Sequence, residues 1–372
     1  MSTEHNECIK NIYLPNDGMY LEEGIAWFVG SQDNIIYCMD ISTMQVTPIA
    51  SLPNNSPNMF RLNPKCIKYD NIIICLPDRG KKIYIYNIEN KTFEEVSVKN
   101  PSDVRISIFD TWIDEKILWC ISYGMNQILE LNLETLHIDG YYKIFDTNDD
   151  MVGYSSSKVG NIIHCTSRTS SIVAAFDTIS KEIRYYKLSI NDNGLNTIVF
   201  DGKDFWLSGY LGQLYCWNKE KNIVNTLNNL PHSFIENCGP DKRPLFYKSL
   251  IINENILFIP WTFPEDNYNP IINVNKKNMN ISTLQVESDS KKGNLITIEY
   301  VRENRYLVIN HLMSSGLEEL DLKEESSIIK SDMHISEEKM IDYLKYNMKN
   351  LNTINETEVC TAKAFYGYVL NC

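Results

Sequence analysis

No stretch of this 372-residue chain approaches the roughly 18 consecutive apolar side chains that a membrane-spanning helix needs. The longest apolar runs, such as Asn71-Ile-Ile-Ile-Cys-Leu76, have the length of a strand. The ten cysteines include no C-x-x-C pair, so neither a zinc ribbon nor a thioredoxin-like motif is present. The six histidines form no H-x-x-x-H or H-E-x-x-H, which removes support for a helical zinc site. G-x-S-x-G, G-x-G-x-x-G and the P-loop are also missing. Positive charge is in short supply: 35 Lys and Arg face 48 Asp and Glu, for a net −13. A duplex nucleic-acid binder needs a cationic footprint, and an anionic membrane surface attracts basic segments, so neither partner is expected. Met1–Lys10 lacks a basic region followed by an apolar core, so no secretory signal is expected there. Ten cysteines could suggest disulfides, but a chain this large without such a signal points to a reducing cytoplasm. With 43% hydrophobic, 11% aromatic and 22% charged residues, the composition is that of a folded globular protein.

What the chain does have is a repeat. An apolar, β-rich segment ending in Asp or Asn recurs as Ile35-Ile-Tyr-Cys-Met-Asp40, Lys82-Ile-Tyr-Ile-Tyr-Asn87, Gln127-Ile-Leu-Glu-Leu-Asn132, Ile172-Val-Ala-Ala-Phe-Asp177, Gln213-Leu-Tyr-Cys-Trp-Asn218, Pro270-Ile-Ile-Asn-Val-Asn275 and Gly316-Leu-Glu-Glu-Leu-Asp321. The anchors at 40, 87, 132, 177, 218, 275 and 321 are separated by 47, 45, 45, 41, 57 and 46 residues. Before each anchor lies a polar pair suited to a tight hairpin: Glu23-Gly24, Asp70-Asn71, Glu115-Lys116, Gly160-Asn161, Gly202-Lys203, Glu254-Asn255 and Glu303-Asn304. Each unit therefore reads as four strands, a to d, with the anchor closing strand c. A period of about 45 residues with four strands per unit is the mark of a β-propeller. The expected fold is all-β: seven blades of four antiparallel strands within residues 1–335, followed by a short helical tail over 336–372.

The cysteines obey the same register. Cys75, Cys120 and Cys165 fall at one position of strand b, where other units carry Phe28, Leu207, Ile259 and Ile309. A cysteine interchangeable with Phe, Leu and Ile is a small core hydrophobe. A lone four-stranded blade cannot bury both faces, so its apolar strands require neighbouring blades.

At these residues the chain resembles kelch-like and WD40-like propellers. Ile83-Tyr-Ile-Tyr-Asn-Ile-Glu-Asn-Lys-Thr-Phe93 is similar to the end of a kelch repeat. Leu214-Tyr-Cys-Trp-Asn218 is similar to the tryptophan–aspartate end of a WD40 repeat, with Asn218 in place of Asp. The paired glycines of kelch strands and the Gly-His start of WD40 units are missing. The resemblance spans roughly residues 18–332, implies architecture, and carries over no catalytic residue.

After the seventh unit the periodicity becomes helical. Met340, Ile341, Leu344 and Met348 share one face behind Ser336 as N-cap, and Val359, Ala362, Tyr366 and Val369 recur at helical spacing. Helices are expected over 337–349 and 356–370, packed on the propeller or docking a partner. Ile9-Lys-Asn-Ile-Tyr-Leu14 is a candidate strand for closing the last blade.

In such a fold the b–c and d–a loops share one face. Here they are longer and more varied than the a–b turns, which marks their face as the functional one. In register, the b–c loops present Gln32, Arg79, Tyr123 with Met125, Arg168, Tyr210, Trp261 and His311. The d–a loops and the starts of strand a add Arg61, Arg105, Tyr154, Phe246, Tyr247 and Lys248. Arg and aromatic side chains are the types enriched at binding hot spots. On an acidic protein they make a cationic, aromatic rim suited to an acidic peptide, a carboxylate or phosphate, or a stacked sugar. The sixth unit adds two proline-stiffened loops, 237–246 and 261–270, as a candidate specificity element. The reading is a non-catalytic propeller that binds a protein or peptide, with no catalytic residue, metal or cofactor assigned. Two alternatives stay open: a lactonase- or lyase-like enzyme with His164, His311 and Asp110 near the channel mouth, and a carbohydrate-binding module.

Overall fold

In the computed structural model the chain forms β-strands along most of its described length. The described residues are 8–10, 18–31, 33–53, 62–100, 104–145, 151–210, 212–228, 230–232, 246–260, 270–285, 295–302, 305–310, 316–321, 327–336 and 339. Two compact units divide it, one of residues 1–97 with 288–372 and one of residues 98–287.

The first unit begins with β1 (Cys8–Lys10), β2 (Met19–Glu22), β3 (Ile25–Val29), β4 (Ile35–Asp40) and β5 (Gln45–Ser51). A sheet of β6 (Lys65–Tyr69), β7 (Ile72–Leu76), β8 (Lys82–Asn87) and β9 (Thr92–Ser97) follows. The second unit holds four sheets of four strands. They are β10 (Ile108–Asp114) to β11 (Ile117–Ser122), β12 (Gln127–Asn132) and β13 (His137–Lys143); then β14 (Val152–Val159), β15 (Ile162–Ser167), β16 (Ile172–Asp177) and β17 (Ile183–Lys187). The next are β18 (Leu195–Phe200), β19 (Phe205–Gly209), β20 (Leu214–Asn218) and β21 (Ile223–Leu227); then β22 (Phe246–Ile252), β23 (Asn255–Pro260), β24 (Pro270–Asn275) and β25 (Ile281–Gln285). The chain returns to the first unit with β26 (Leu295–Arg302), β27 (Arg305–Asn310), β28 (Gly316–Asp321), β29 (Ser327–Asp332) and β30 (His334–Ser336). Six sheets have four strands in sequential order; the remaining sheet has six, in the order β1-β30-β5-β4-β3-β2.

Chemistry explains why the anchor is Asp or Asn. Its side chain accepts hydrogen bonds from the backbone N–H groups two and three residues on, closing the turn between strands c and d. Asp40 does so with Ser42 and Thr43, Asn87 with Glu89 and Asn90, Asn132 with Glu134 and Thr135, and Asp177 with Ile179 and Ser180. Asn275 repeats the pattern with Lys277 and Asn278. Asx turns of this kind are what a short polar side chain offers. The residue after the anchor donates to the a–b turn of its own sheet, as in Ile41 to Gly24 (3.0 Å), Ile88 to Asn71 (2.9 Å), Leu133 to Lys116 (2.8 Å) and Thr178 to Asn161 (2.8 Å). The a–b turns carry positive φ at Glu23, Asp70, Glu115 and Gly160, as two-residue hairpins require.

Two of these turns depart from expectation. In β22–β23, Ile252 pairs with Asn255, so the turn is Asn253-Glu254. In β18–β19, Phe200 pairs with Phe205, leaving a four-residue loop, 201–204. There the Asp201 carboxylate accepts from the N–H groups of Lys203 and Asp204 and from Trp206 Nε1 at 2.9 Å, so the extra residues are paid in hydrogen bonds.

Within each unit, first strands of successive sheets lie side by side: β2 with β6 and with β26 in one; β10 with β14, β14 with β18, and β18 with β22 in the other. The cores sit between sheets. Trp119, Ile121, Ile163, Cys165 and Phe176 join the sheets of β10–β13 and β14–β17. Val173, Leu195, Leu207 and Trp217 join the next pair. Cys75, Cys120 and Cys165 are wholly buried, as are Phe28, Leu207 and Ile259 at the same register. Burial pushes the Cys66 thiol up to about 12, so it remains a protonated hydrophobe. Each such buried side chain contributes about 1.5–3 kcal/mol.

The ends of the chain correct two expectations. The N-terminal strand does not join the last sheet. β1 pairs with β30 through Ile9 opposite Ile335, and β30 lies parallel to β5. The expected domain boundary at 335/336 falls inside β30, so Ser336 belongs to a strand. Its hydroxyl still accepts from the Lys339 N–H at 3.4 Å. Apart from Lys339, the expected helices over 337–349 and 356–370 lie outside the described residues.

Candidate functional site

In the second unit, polar side chains line the first strands of neighbouring sheets. Asp110 of β10 accepts from the Ser156 N–H at 2.7 Å and from its hydroxyl at 2.8 Å, and Trp112 Nε1 donates to the same hydroxyl at 2.7 Å. The Ser155 hydroxyl accepts from the Ile198 N–H at 3.2 Å, tying β14 to β18. This framework holds the loops that precede and follow these strands.

Three of the residues selected from sequence meet on it. Tyr123 follows β11, Tyr154 lies in β14 and Arg168 follows β15. The two tyrosine rings stack, with centroids 5.6 Å apart and planes 14° from parallel. Phe109 of β10 meets both edge-on, at 5.3 and 5.6 Å. The Arg168 guanidinium carbon lies 4.4 Å from the Tyr154 ring centroid and 5.2 Å from that of Tyr123. Its Nη1 donates to Tyr123 Oη. Tyr123 Oη also lies 3.8 Å from Met151 Sδ. Burial pushes the Tyr154 hydroxyl up to about 12, over the opposing pull of Arg168, so it stays a neutral phenol at physiological pH. Arg168 Nε is sealed from solvent and has no hydrogen-bond partner among the described residues.

The backbone of this cluster is fixed from two sides. The Arg168 N–H donates to Met151 O at 2.7 Å, and the Tyr123 N–H to Ser107 O at 2.9 Å. A Cβ placed on Gly194 would come within 1.9 Å of the Arg168 carbonyl oxygen, and one on Gly124 within 1.6 Å of the Arg105 carbonyl oxygen. No side chain fits either gap. Tyr210 donates its N–H to Gly194 O at 2.8 Å, which brings its loop to the same segment.

The other selected residues are dispersed. Arg105 and Arg79 are exposed, Arg79 in the first unit; Tyr210 and Lys248 are half-buried. Tyr247 is 8% exposed and Phe246 belongs to the core between β18–β21 and β22–β25, so neither is a rim residue: β22 turns both into the sheet packing. Gln32, Arg61, Trp261 and His311, with the loop 261–269 and nearly all of 237–246, lie outside the described residues. Phe109 and Met151 belong to the cluster and were not selected. Phe109 had a signal, an aromatic next to Asp110 at the start of strand a; Met151 had none.

The enzyme alternative placed His164 and Asp110 together, and their partners differ. His164, 1% exposed, faces Ser157 O through Nδ1 at 3.3 Å and Lys219 Nζ through Nε2 at 3.1 Å, with its ring 4.5 Å from that of Phe205. Burial first, then the Lys219 charge, lowers its pKa to about 3, so the ring is neutral. With Nδ1 carrying the proton it donates to Ser157 and accepts from the lysine. Lys219 also lines a cleft of about 130 Å³ with Asp177, Glu182, Arg184 and Tyr186. Among the described residues no group of three or more His, Cys, Asp or Glu side chains is arranged to hold a metal ion.

No protein-family model matches the sequence, and no curated protein matches it. Solved structures do. One is that of PorZ, described as an essential bacterial surface component of the type-IX secretion system of Porphyromonas gingivalis. It aligns with TM-score 0.57 at 10% identity, over 86% of this chain and 38% of that one. BamB from Moraxella catarrhalis aligns with TM-score 0.52 at 12% identity, over 78% of this chain and 81% of its own. The computationally designed Ika8 protein aligns with TM-score 0.50 at 11% identity, over 80% of this chain and 94% of its own. This chain thus spans well under half of PorZ. At such identities the likeness shows the fold alone, and that fold is β-propeller-like.

Proposed function

We propose that the chain is a seven-bladed propeller, kelch- or WD40-like in its repeat ends, that binds a protein or peptide through its b–c and d–a loops. Its seven sheets are the blades, and the sheet that takes in β1 and β30 is the first. The observation that carries the binding reading is the Tyr123–Tyr154–Arg168 cluster. It is a preformed, partly open group of hot-spot residue types on a rigid scaffold, with its backbone already fixed. The engagement of His164 with Ser157 and Lys219, and of Asp110 with Ser156, favours binding over catalysis. Unpaired thiols at Cys38, Cys66, Cys75, Cys120, Cys165 and Cys216 suit a reducing compartment, in keeping with a cytoplasmic setting.

Affinity capture from a lysate of the source organism, read by mass spectrometry, tests this. The control carries alanine at Arg105, Arg168 and Tyr210. A second control carries alanine at Lys116 and Glu134, an exposed pair at the turn end of β10–β13. A partner lost with the first control and kept with the second, at unchanged melting temperature, is the expected result. A partner kept by both refutes the loop face.

A further inference from the structure

Arginines this enclosed are normally paired with a carboxylate, because a charged group taken partly out of water needs compensation. Arg168 has no such partner among the described residues. Its one side-chain hydrogen bond among the described residues goes to Tyr123 Oη, and its Nε is sealed and unused. The planar guanidinium is held against two tyrosine rings, and its Nη2 donates to no described residue. Nη2 together with the second hydrogen of Nη1 can give two parallel N–H···O bonds to a planar anion.

The rest of the cluster narrows the class. Phe109, Tyr123, Tyr154 and Met151 bring no acidic group: the Tyr123 hydroxyl faces Met151 Sδ and the Tyr154 hydroxyl bonds to Tyr123. One unpaired cation suits a monoanion. Phosphate groups are taken by clusters of arginines. The net charge of −13 also opposes a dianion more than a monoanion. The aromatic wall around the charge offers apolar contact to the methylenes that carry a side-chain carboxylate.

We propose that Arg168, clamped between Tyr123 and Tyr154, is the anchor for a Glu or Asp side-chain carboxylate on the partner peptide. This rests on the loop-face reading above and adds to it the chemical class of the ligand. The backbone supports the assignment. The N–H of Arg168 is tied to Met151 O at 2.7 Å and its carbonyl abuts Gly194, so the guanidinium is aimed before any ligand arrives.

The test uses the full chain labelled with ¹⁵N-arginine. The Nε–H resonance of Arg168, assigned by its loss in Arg168→Lys, reports ligand at the guanidinium directly. The probes are a capped glutamyl peptide, its glutaminyl twin and its phosphoseryl twin. The expected result is a saturable shift with the glutamyl peptide and none with the glutaminyl twin. The Lys variant, followed by tryptophan fluorescence, should bind the glutamyl peptide about tenfold more weakly, because a point charge replaces a bidentate fork. Equal response to the glutaminyl twin, tighter binding of the phosphoseryl twin, or no response at all overturns the proposal. Partner capture separates the two claims. Capture lost with the triple alanine and retained by Arg168→Lys and by Arg168→Gln leaves the face standing and removes the anchor. Capture retained by the triple alanine removes the face itself.

Discussion

His164 gives the sharpest physical test of the second unit. Its ring is sealed beneath the sheet of β18–β21 and touches a lysine ammonium, so the folded protein resists protonating it down to about pH 3, against an ordinary value of 6.5. A base whose folded pKa is depressed contributes stability that is intact above the unfolded pKa and is lost as pH falls toward the folded one. The loss begins near pH 6.5, runs at about 1.4 kcal/mol per pH unit, and ends near pH 3. Between pH 7 and pH 4 it amounts to roughly 3 kcal/mol. His164→Gln removes the titration and keeps a donor for the Ser157 carbonyl. Urea denaturation of both proteins at pH 7 and pH 4, followed by tryptophan fluorescence, measures the difference. The variant should gain roughly 3 kcal/mol on the wild type as pH falls, whatever its deficit at pH 7. Carboxylates that titrate over the same range are common to both proteins and cancel. A difference that stays constant within about 1 kcal/mol would refute the buried, lysine-facing histidine. Lys219→Met should move the end of the loss to higher pH, because it removes the charge that opposes protonation.

Three further outcomes follow from the packing. Gly194→Ala places a methyl 1.9 Å from the Arg168 carbonyl oxygen; a lower melting temperature, worth about 1–3 kcal/mol, and a displaced Arg168 Nε–H resonance are expected, and an unchanged spectrum would count against the close approach. Asp33 accepts from Tyr37 Oη at 2.5 Å, and burial pushes its carboxyl up to about 6. For an acid with a raised folded pKa the stability is present below the unfolded value and lost as pH rises through 6, the opposite sign to His164. Asp33 keeps some solvent contact, so Asp33→Asn should gain only about 1–2 kcal/mol on the wild type between pH 4 and pH 7, read by the same denaturation series. Met333, 2% exposed between β29 and β30, packs with Met19, Phe28, Tyr37 and Met39. Met333→Ala should cost about 2–5 kcal/mol and raise amide exchange in β30 and β5; slow exchange in both would mean that the C-terminal strand is held by something else.

The repeat was readable because its physics is local. Asp40, Asn87, Asn132, Asp177 and Asn275 each close a turn with their own side chain, and the apolar runs before them need only a neighbouring sheet. The cysteines at 75, 120 and 165 were legible for the same reason, since one register position sees one environment. What sequence missed depends on contacts distant in the chain. The strand at Ile9 was assigned to the last sheet because such closure is common; its partner is β30, beside β5 of the first sheet, and nothing in three residues encodes that choice. Tyr247 looked like a rim residue by register, yet it is buried, which depends on the packing around β22 and not on its spacing. Tyr123, Tyr154 and Arg168 were each selected singly. That they converge follows from the pairing of β14 with β15 and the approach of β10 to β14, which no spacing rule supplies.

The two ends of these sheets are built on different rules, and that difference supports the proposed loop-face reading. At the c–d end the anchor accepts from two backbone N–H groups, the next residue donates back to the a–b turn, and the pattern repeats with little variation from sheet to sheet. A turn so closed tolerates Asp or Asn and little else at its first position, and has few groups left to offer a ligand. At the b–c end the chain is tied back through its main chain. The residues after strand b donate to the segment before strand a, as Asp78 does to Leu62, Tyr123 to Ser107, Arg168 to Met151 and Tyr210 to Gly194. The side chains at those positions are Asp, Tyr, Arg and Tyr, free to differ because the hydrogen bond uses only the main chain. Recognition can therefore vary at that end while the scaffold stays the same. A guanidinium fixed by its backbone, stacked on two rings and without a carboxylate partner among the described residues is what this arrangement yields in the sheet of β14–β17.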